Sequence, residues 1–126
     1  MKNNQTYVDG FVIPIKKKDL KAYKEMAEWG AKTWKKYGAL EYFECVGDDL
    51  KVKKGMSVGF GNLAKLKADE TVIFSWIIYK SKKHRDEVNK KVMADMDKNG
   101  EKYQNMPMPF DMKRFYYGGF KTIVEF

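Results

Sequence analysis

Residues 71–79 (TVIFSWIIY) form the most apolar segment of the chain, and this run restricts the possible folds more than any other feature. Its aromatic and β-branched residues, without regular polar alternation, predict a strand in the middle of a sheet, buried on both faces. A chain of 126 residues is long enough to enclose one such core and too short for two. We therefore predict a single domain, residues 1–126, built around this strand.

Three other segments have the composition of strands. Residues 7–15 (YVDGFVIPI) and 39–46 (ALEYFECV) are rich in aromatic and β-branched residues. The third, residues 115–126, contains Gly118 and Gly119, which predict a kink within it. Residues 50–70 are interrupted by glycines and read mostly as loop, and residues 105–113 (NMPMPFDMK) are excluded from regular helix by their prolines.

Two segments have the periodicity of amphipathic helices. Asp19 is placed to cap the first, which is predicted to end at Gly38, and Ser81 is placed to cap the second, with Gly100 as its stop. Residues that recur at helical spacing on one face are Leu20, Tyr23, Ala27, Gly30, Trp34 and Tyr37 in the first helix, and His84, Val88, Val92 and Met96 in the second.

The predicted order of elements is βαββαβ, which indicates an α+β, ferredoxin-like fold with a four-stranded antiparallel sheet and both helices on one face. The other face of the sheet must then meet solvent, a ligand or another subunit. Aromatic residues fall on both phases of the strands, for example Tyr42 beside Phe43, so neither face is polar. We therefore predict a homodimer that encloses the second apolar face as a dimeric α+β barrel.

Five strings of residues carry a family resemblance: YVDGFVIPI, GALEYFECVGDD, FSWIIYKSKKHRDEVNKKVMAD, MPFDMKR and YYGGFKTIVEF. Together they span nearly the whole chain, which resembles the uncharacterised bacterial YbaA-like family, a domain of unknown function. The resemblance implies a dimeric α+β barrel, the superfamily that also contains small cofactor-free monooxygenases and binding or stress proteins. The doubled Met-Pro step at residues 106–109 departs from the single step expected in the family.

The charge pattern bears on possible partners. The formal net charge is +8, from 25 basic and 17 acidic residues, yet arginine occurs only at Arg85 and Arg114 and the lysines fall in short groups. This pattern indicates solvated surface lysines rather than a nucleic-acid patch. RNA binding stays as an alternative because RNA-recognition modules share the strand order, and Lys54, Gly55 and Phe60 partly match their signature.

The amino-terminal sequence MKNNQTYVDG has no apolar core of a signal peptide, and no apolar run reaches the length of a membrane span. Cys45 is the single cysteine, so no internal disulfide can form. These features predict a cytoplasmic protein without membrane association. A lone cysteine and a lone histidine provide no spaced ligand set, and the glycines of KKGMSVGFGN lack the ending of a phosphate-binding loop, so no metal or cofactor is predicted.

Three residues are candidates for catalysis. His84 is the single histidine and could be a general base at the start of the second helix, or an ordinary helix-face residue packed over Val88. Asp9 and Glu44 are carboxylates inside apolar strands, and either one would be a functional candidate if it faced a cavity. Glu41 and Glu44 are predicted to point to opposite faces of the sheet. The structural alternative is that these carboxylates pair with a lysine or with Arg114.

Ligand binding would draw on Tyr42, Trp76, Arg114 and Tyr117, which combine aromatic surface with polar groups. The favoured hypothesis is small-molecule work in the barrel, either binding or a cofactor-independent oxidation or isomerisation. This hypothesis rests largely on analogy with the fold. The sequence feature that favours a ligand is the interleaving of Asp9, Glu44, Ser75 and Arg114 with aromatic residues, where a pure interface would contain more aliphatic residues. The remaining alternative is a structural or protein-interaction dimer without catalysis, since the same residues also suit a dimer core.

Overall fold

The computed structural model describes residues 5–99 and 109–126, so the predicted helix stop at Gly100 and residues 105–108 of the Met-Pro segment lie outside the described residues. The strands are β1 (Tyr7–Lys16), β2 (Glu41–Val46), β3 (Glu70–Tyr79) and β4 (Tyr116–Lys121). The helices are α1 (Leu20–Lys36), α2 (Phe60–Leu63) and α3 (Lys82–Lys98). All neighbouring strands are antiparallel, in the order β2-β3-β1-β4. The predicted α+β, ferredoxin-like fold is confirmed.

The core lies between one face of the sheet and the two long helices. Tyr23 and Ala27 of α1 pack against Ile13, Ile15 and Ile73 of the central strands. At the other end of the sheet, Val88 and Val92 of α3 pack against Ile77 and Tyr79. Alternation along the strands therefore directs one set of side chains into the core and the other set away from it.

The second set forms what we call the open face of the sheet, which neither long helix covers, although Phe60 of the short helix α2 contacts Phe74 there. Its aromatic members are Phe43, Phe74, Trp76, Tyr116 and Phe120, as the strand register shows. Phe74 in the central strand β3 is 45% exposed and Phe120 is 61% exposed. The prediction that residues 71–79 are buried on both faces is therefore wrong for the single chain, because both long helices lie on the same side.

The helix boundaries show which capping signals operate. The Ser81 Oγ accepts a hydrogen bond from the His84 backbone N–H at 3.1 Å, as predicted. Gly38 adopts the left-handed conformation, with φ of 108°, just beyond the end of α1. Asp19 occupies the N-cap position of α1, but its side chain makes no capping bond, since a 3-10 turn at Lys17–Asp19 holds its backbone outside the extended conformation that capping uses.

Most predicted boundaries agree with the structure within two residues, and two regions differ more. The loop at residues 50–70 contains the short helix α2, and its last residue, Glu70, begins β3. The last strand ends at Lys121 rather than at Phe126, because Lys121 pairs with Tyr7, the first residue of β1, and no strand remains beyond it to pair with. Among the described residues, no helix combines the length and the apolar character that crossing a membrane requires.

Candidate functional site

A cavity of about 310 Å³ lies between the core face of the sheet, α1 and the segment that leads into β4. It is large enough for a small organic molecule. Its walls are mostly rings and thioethers. They include Phe11, Trp29, Trp34, Phe110 and Phe115, together with Met26, Met96 and Met112.

Glu44 introduces a carboxylate into this apolar cavity. The Tyr23 hydroxyl donates to Glu44 Oε1 and the Tyr42 hydroxyl donates to Glu44 Oε2, each at 2.7 Å. Tyr42 and Glu44 are two residues apart in β2, so both point to the core face, opposite Ile77 and Ser75 of β3. Tyr23 reaches the same point from α1, and the three polar side chains together form what we call the Glu44 cluster.

The electrostatics of the Glu44 cluster keep both tyrosines protonated. Burial, reinforced by the negative charge of Glu44, raises the pKa of the Tyr23 hydroxyl and of the Tyr42 hydroxyl far above the ordinary value for tyrosine. Both hydroxyls therefore act as donors to the carboxylate at neutral pH. The remaining lone pairs of Glu44 are able to accept a hydrogen bond or a proton from a bound molecule.

A glycine in α1 makes room for the Glu44 cluster. A Cβ atom added at Gly30 would lie 2.8 Å from the Tyr42 hydroxyl oxygen, which is closer than a carbon and an oxygen normally approach. Gly30 also lines the cavity. The sequence predicted it as part of the apolar helix face, but its role is to leave space for a side chain from β2.

A second cavity of about 430 Å³ lies on the other side of the Glu44 cluster, between α1 and the edge strand β2. Tyr23, Ala27, Tyr42 and Glu44 line both cavities. The cluster is therefore a shared wall, and the carboxylate is reached from the interior side and from the sheet edge.

Asp9 belongs to a different part of the molecule. The residue is 1% exposed, and its carboxylate accepts hydrogen bonds from Arg85 Nη1 at 2.7 Å and from Asn89 Nδ2 at 3.4 Å. Asp9 was predicted to pair with a lysine or with Arg114. This prediction is wrong, because α3 places Arg85 over β1 and Arg85 forms the ion pair. Asp9 lies in a central strand rather than at an edge and does not line either cavity.

Asn89 extends this buried polar network towards α1. Its Oδ1 accepts hydrogen bonds from Trp34 Nε1 at 3.1 Å and from the Tyr79 hydroxyl at 3.2 Å. Tyr117 joins through its hydroxyl, which accepts from Arg85 at 2.9 Å. The network therefore connects β1, β3, β4, α1 and α3, and it satisfies the polar groups that the core buries.

Three other candidates lie apart from the cavity. The His84 Nδ1 accepts a hydrogen bond from the Lys80 backbone N–H at 2.9 Å, and its ring packs edge-on against Tyr79. Trp76 stacks on Phe43 on the open face, with ring centroids 5.0 Å apart. Arg114 binds both oxygens of Glu70, at 2.7 and 2.9 Å. Of the seven predicted site residues, the structure thus brings only Glu44 and Tyr42 together in the cavity.

The residues that sequence reasoning missed are Tyr23 and Arg85. Tyr23 stood out only as a member of an apolar helix face, although a hydroxyl on that face was a signal that a polar partner had to meet it. Arg85 was considered only as one of the two arginines in the charge pattern and was not expected to bind Asp9. Among the described residues, no three His, Cys, Asp or Glu side chains group together as metal ligands.

The strand order and the helix-covered cavity define a ferredoxin-like α+β protein. The chain belongs to the family described as "Protein of unknown function (DUF1428)", whose sequence model matches residues 6–112. It is 46% identical over 123 residues to "Uncharacterized protein YbaA" of Escherichia coli strain K12 and of Shigella flexneri, covering 94% of this chain and 97% of each relative. The resemblance to the YbaA-like family is therefore confirmed.

The comparison with solved structures supports the same fold. A crystal structure described as a dimeric ferredoxin-like protein from an uncultured marine organism matches with a TM-score of 0.62 and 12% sequence identity. The similarity covers 98% of this chain and 100% of the other.

Proposed function

We propose that the cavity beside the Glu44 cluster binds a small, mainly apolar organic molecule. The observation that carries this proposal is the combination of about 310 Å³ of space, aromatic and methionine walls, and a carboxylate oriented by two hydroxyls. Binding sites for small molecules commonly have this composition, apolar walls with a few oriented polar groups. Glu44 is the residue that orients the ligand.

Glu44 is also the group that would perform proton transfer. In an isomerisation, the carboxylate would remove a proton from a carbon beside a carbonyl group and return it to another carbon, without a cofactor. In a cofactor-independent oxidation, the same abstraction would generate a carbanion that dioxygen then oxidises. Oxygen consumption separates the two reactions. Asp9 and His84, the other catalytic candidates, have hydrogen-bond partners away from the cavity.

The binding function is tested by filling the cavity. Met96 is half-buried and lines it, whereas Met93 is exposed on the same helix. Ligand-observed NMR with a library of neutral, cationic and anionic fragments should find molecules that bind the wild type and M93W but not M96W. A library without such molecules would contradict the proposal and would favour a structural or protein-interaction dimer.

We also propose that the open face is covered by a second copy of this chain. Phe43, Phe74, Tyr116 and Phe120 are all more than two-fifths exposed there, which is unusual for adjacent aromatic residues of a monomer. The neighbour described as a dimeric ferredoxin-like protein supports a dimer. Two chains related by a two-fold axis would bury the aromatic faces against each other.

RNA is a weaker occupant of the open face. The charged side chains at open-face strand positions are Lys16, Glu41 and Glu70, so a basic stripe for a phosphate backbone is missing from these described strands. The RNA-like signature at Lys54 and Gly55 lies in the loop between β2 and β3 instead of in a strand.

Native mass spectrometry of gently purified protein tests the assembly directly. A dimer without nucleic acid is the expected result, and a monomer or an RNA-bound chain would overturn the dimer. We further propose a cytoplasmic location, because the single cysteine, Cys45, is a free thiol, which suits a reducing compartment.

A further inference from the structure

We infer that the ligand of the cavity is a small organic cation, such as a quaternary or aryl-substituted ammonium compound. The inference rests on the proposed binding function and adds the chemical class of the ligand. Its first basis is the charge of the walls. Glu44 is the one charged side chain among the described residues that line the cavity, and no described lysine, arginine or histidine faces it there.

Glu44 also lacks an ion-pair partner among the described residues. The described lysines and arginines that form ion pairs do so with Glu28, Asp95, Asp9, Asp86 and Glu70. Two neutral hydroxyls satisfy Glu44 geometrically without neutralising its charge. Glu44 is half-buried, and Lys24 on the wall of the second cavity pairs with Glu28 instead of with Glu44. A cationic ligand in the first cavity would supply Glu44 with a partner of opposite charge.

The hydrogen bonds around the cavity disfavour an anionic ligand, although Ser75 also lines the cavity with its hydroxyl-bearing side chain. The protons of Tyr23 and Tyr42 are used by Glu44, and the Trp34 Nε1 proton is used by Asn89. A carboxylate or phosphate ligand would therefore find few free donors and would approach the negative charge of Glu44 without a compensating cation. Such an approach is unfavourable at close range in an apolar site.

The aromatic walls add attraction for a positive charge. Aromatic faces attract cations through their quadrupole, and quaternary ammonium groups are recognised by cages of aromatic side chains. Phe110 and Phe115 stack with centroids 5.2 Å apart, and Phe11 meets Phe115 edge-on at 5.7 Å. Trp34 and Tyr42 also line the cavity, with ring centroids 6.2 Å apart.

The net charge of +8 opposes the approach of a cation from a distance. Salt screens this repulsion beyond about 8 Å at physiological ionic strength, whereas the Glu44 contact acts at short range inside the cavity. Local charge therefore decides the preference, and the affinity for the cation should depend only weakly on added salt.

Three molecules of nearly the same shape test the inference: benzyltrimethylammonium, its neutral isostere neopentylbenzene, and the anion phenylmethanesulfonate. Affinities come from ligand-observed NMR with wild-type protein. The cation should bind about tenfold or more tightly than the neutral isostere, and the anion should bind most weakly. Equal affinity of the cation and the neutral isostere would overturn the cationic class while leaving the small-molecule function intact.

Substitution of the carboxylate provides the matched control. E44Q keeps the shape of the side chain and should reduce cation affinity about tenfold while leaving neopentylbenzene unchanged. E41Q, in the same strand but on the open face, should change neither. An E44Q protein that keeps the preference for the cation would sink the inference. Failure of all three molecules to bind would also do so, and the M96W comparison would then decide the binding function separately.

Discussion

The Tyr23 hydroxyl donates a hydrogen bond of 2.7 Å to Glu44 and thereby joins α1 to the edge strand β2. This bond crosses the wall between the two cavities, so it contributes to stability and also fixes the direction of the carboxylate. Hydrogen bonds to a charged group contribute about 1.5–3 kcal/mol, more than bonds between neutral groups.

Removal of the Tyr23 hydroxyl should therefore destabilise the protein. Y23F should lower the free energy of unfolding by about 1–3 kcal/mol in urea at fixed protein concentration. A double-mutant cycle with E44Q separates the bond from the burial of the ring, and a coupling of about 1 kcal/mol is expected. Strict additivity of the two changes would show that the bond contributes nothing.

The buried ion pair of Asp9 and Arg85 should contribute more to the free energy of unfolding than the Tyr23 hydrogen bond does. R85M should lower the free energy of unfolding by about 3–5 kcal/mol, because it leaves the Asp9 carboxylate buried without its cation. The additional change D9N should recover part of the loss by removing that charge. K83M, at an exposed position of the same helix, is the control, and an equal effect of K83M and R85M would refute the prediction.

Glu70 should contribute to the loss of stability in acid. Hydrogen bonds from Arg114, and then from the Lys67 backbone N–H, lower the pKa of Glu70 from 4.5 to about 2. The unfolded state binds the proton first, so the contribution is complete above about pH 4.5 and disappears as the pH falls towards 2. The free energy of unfolding should therefore decrease less steeply over this range in E70Q than in the wild type. E87Q, at an exposed position, should keep the wild-type slope.

A charge on the open face should separate the two copies of the proposed dimer. F74K places an ammonium group at the centre of the face, where burial without a partner is costly. Light scattering should report a monomer for F74K and a dimer for M93K, which alters an exposed residue of α3. Circular dichroism serves to verify that both variants are folded. A dimeric, folded F74K would place the interface elsewhere.

The order of elements was predictable because each has a local signal. The apolar run of β3, the Ser81 cap and the glycine after α1 all act within a few residues, and the structure confirms them. The end of β4 was not predictable in this way. It depends on where β1 begins, more than a hundred residues earlier, and no property of residues 122–126 encodes it.

The candidate site was predictable only in part. Strand alternation correctly placed Glu41 and Glu44 on opposite faces, but it could not tell which face lines a cavity. That answer depends on how α1 lies across the sheet and on which helix residues meet each strand. The partner of Asp9 was unpredictable for the same reason. Arg85 is 76 positions away in the sequence, and Arg85 and Arg114 carry the same charge, so the sequence did not show which of them would reach Asp9.

Gly30 has a consequence for how this chain can change. Alanine is a better helix former than glycine by about 1 kcal/mol, so the interior of α1 would gain stability from that substitution. The added methyl group would meet the Tyr42 hydroxyl and intrude on the cavity. At Gly30, therefore, a change that increases the stability of α1 also decreases the volume of the cavity. Selection for heat resistance alone would reduce the space that a ligand needs.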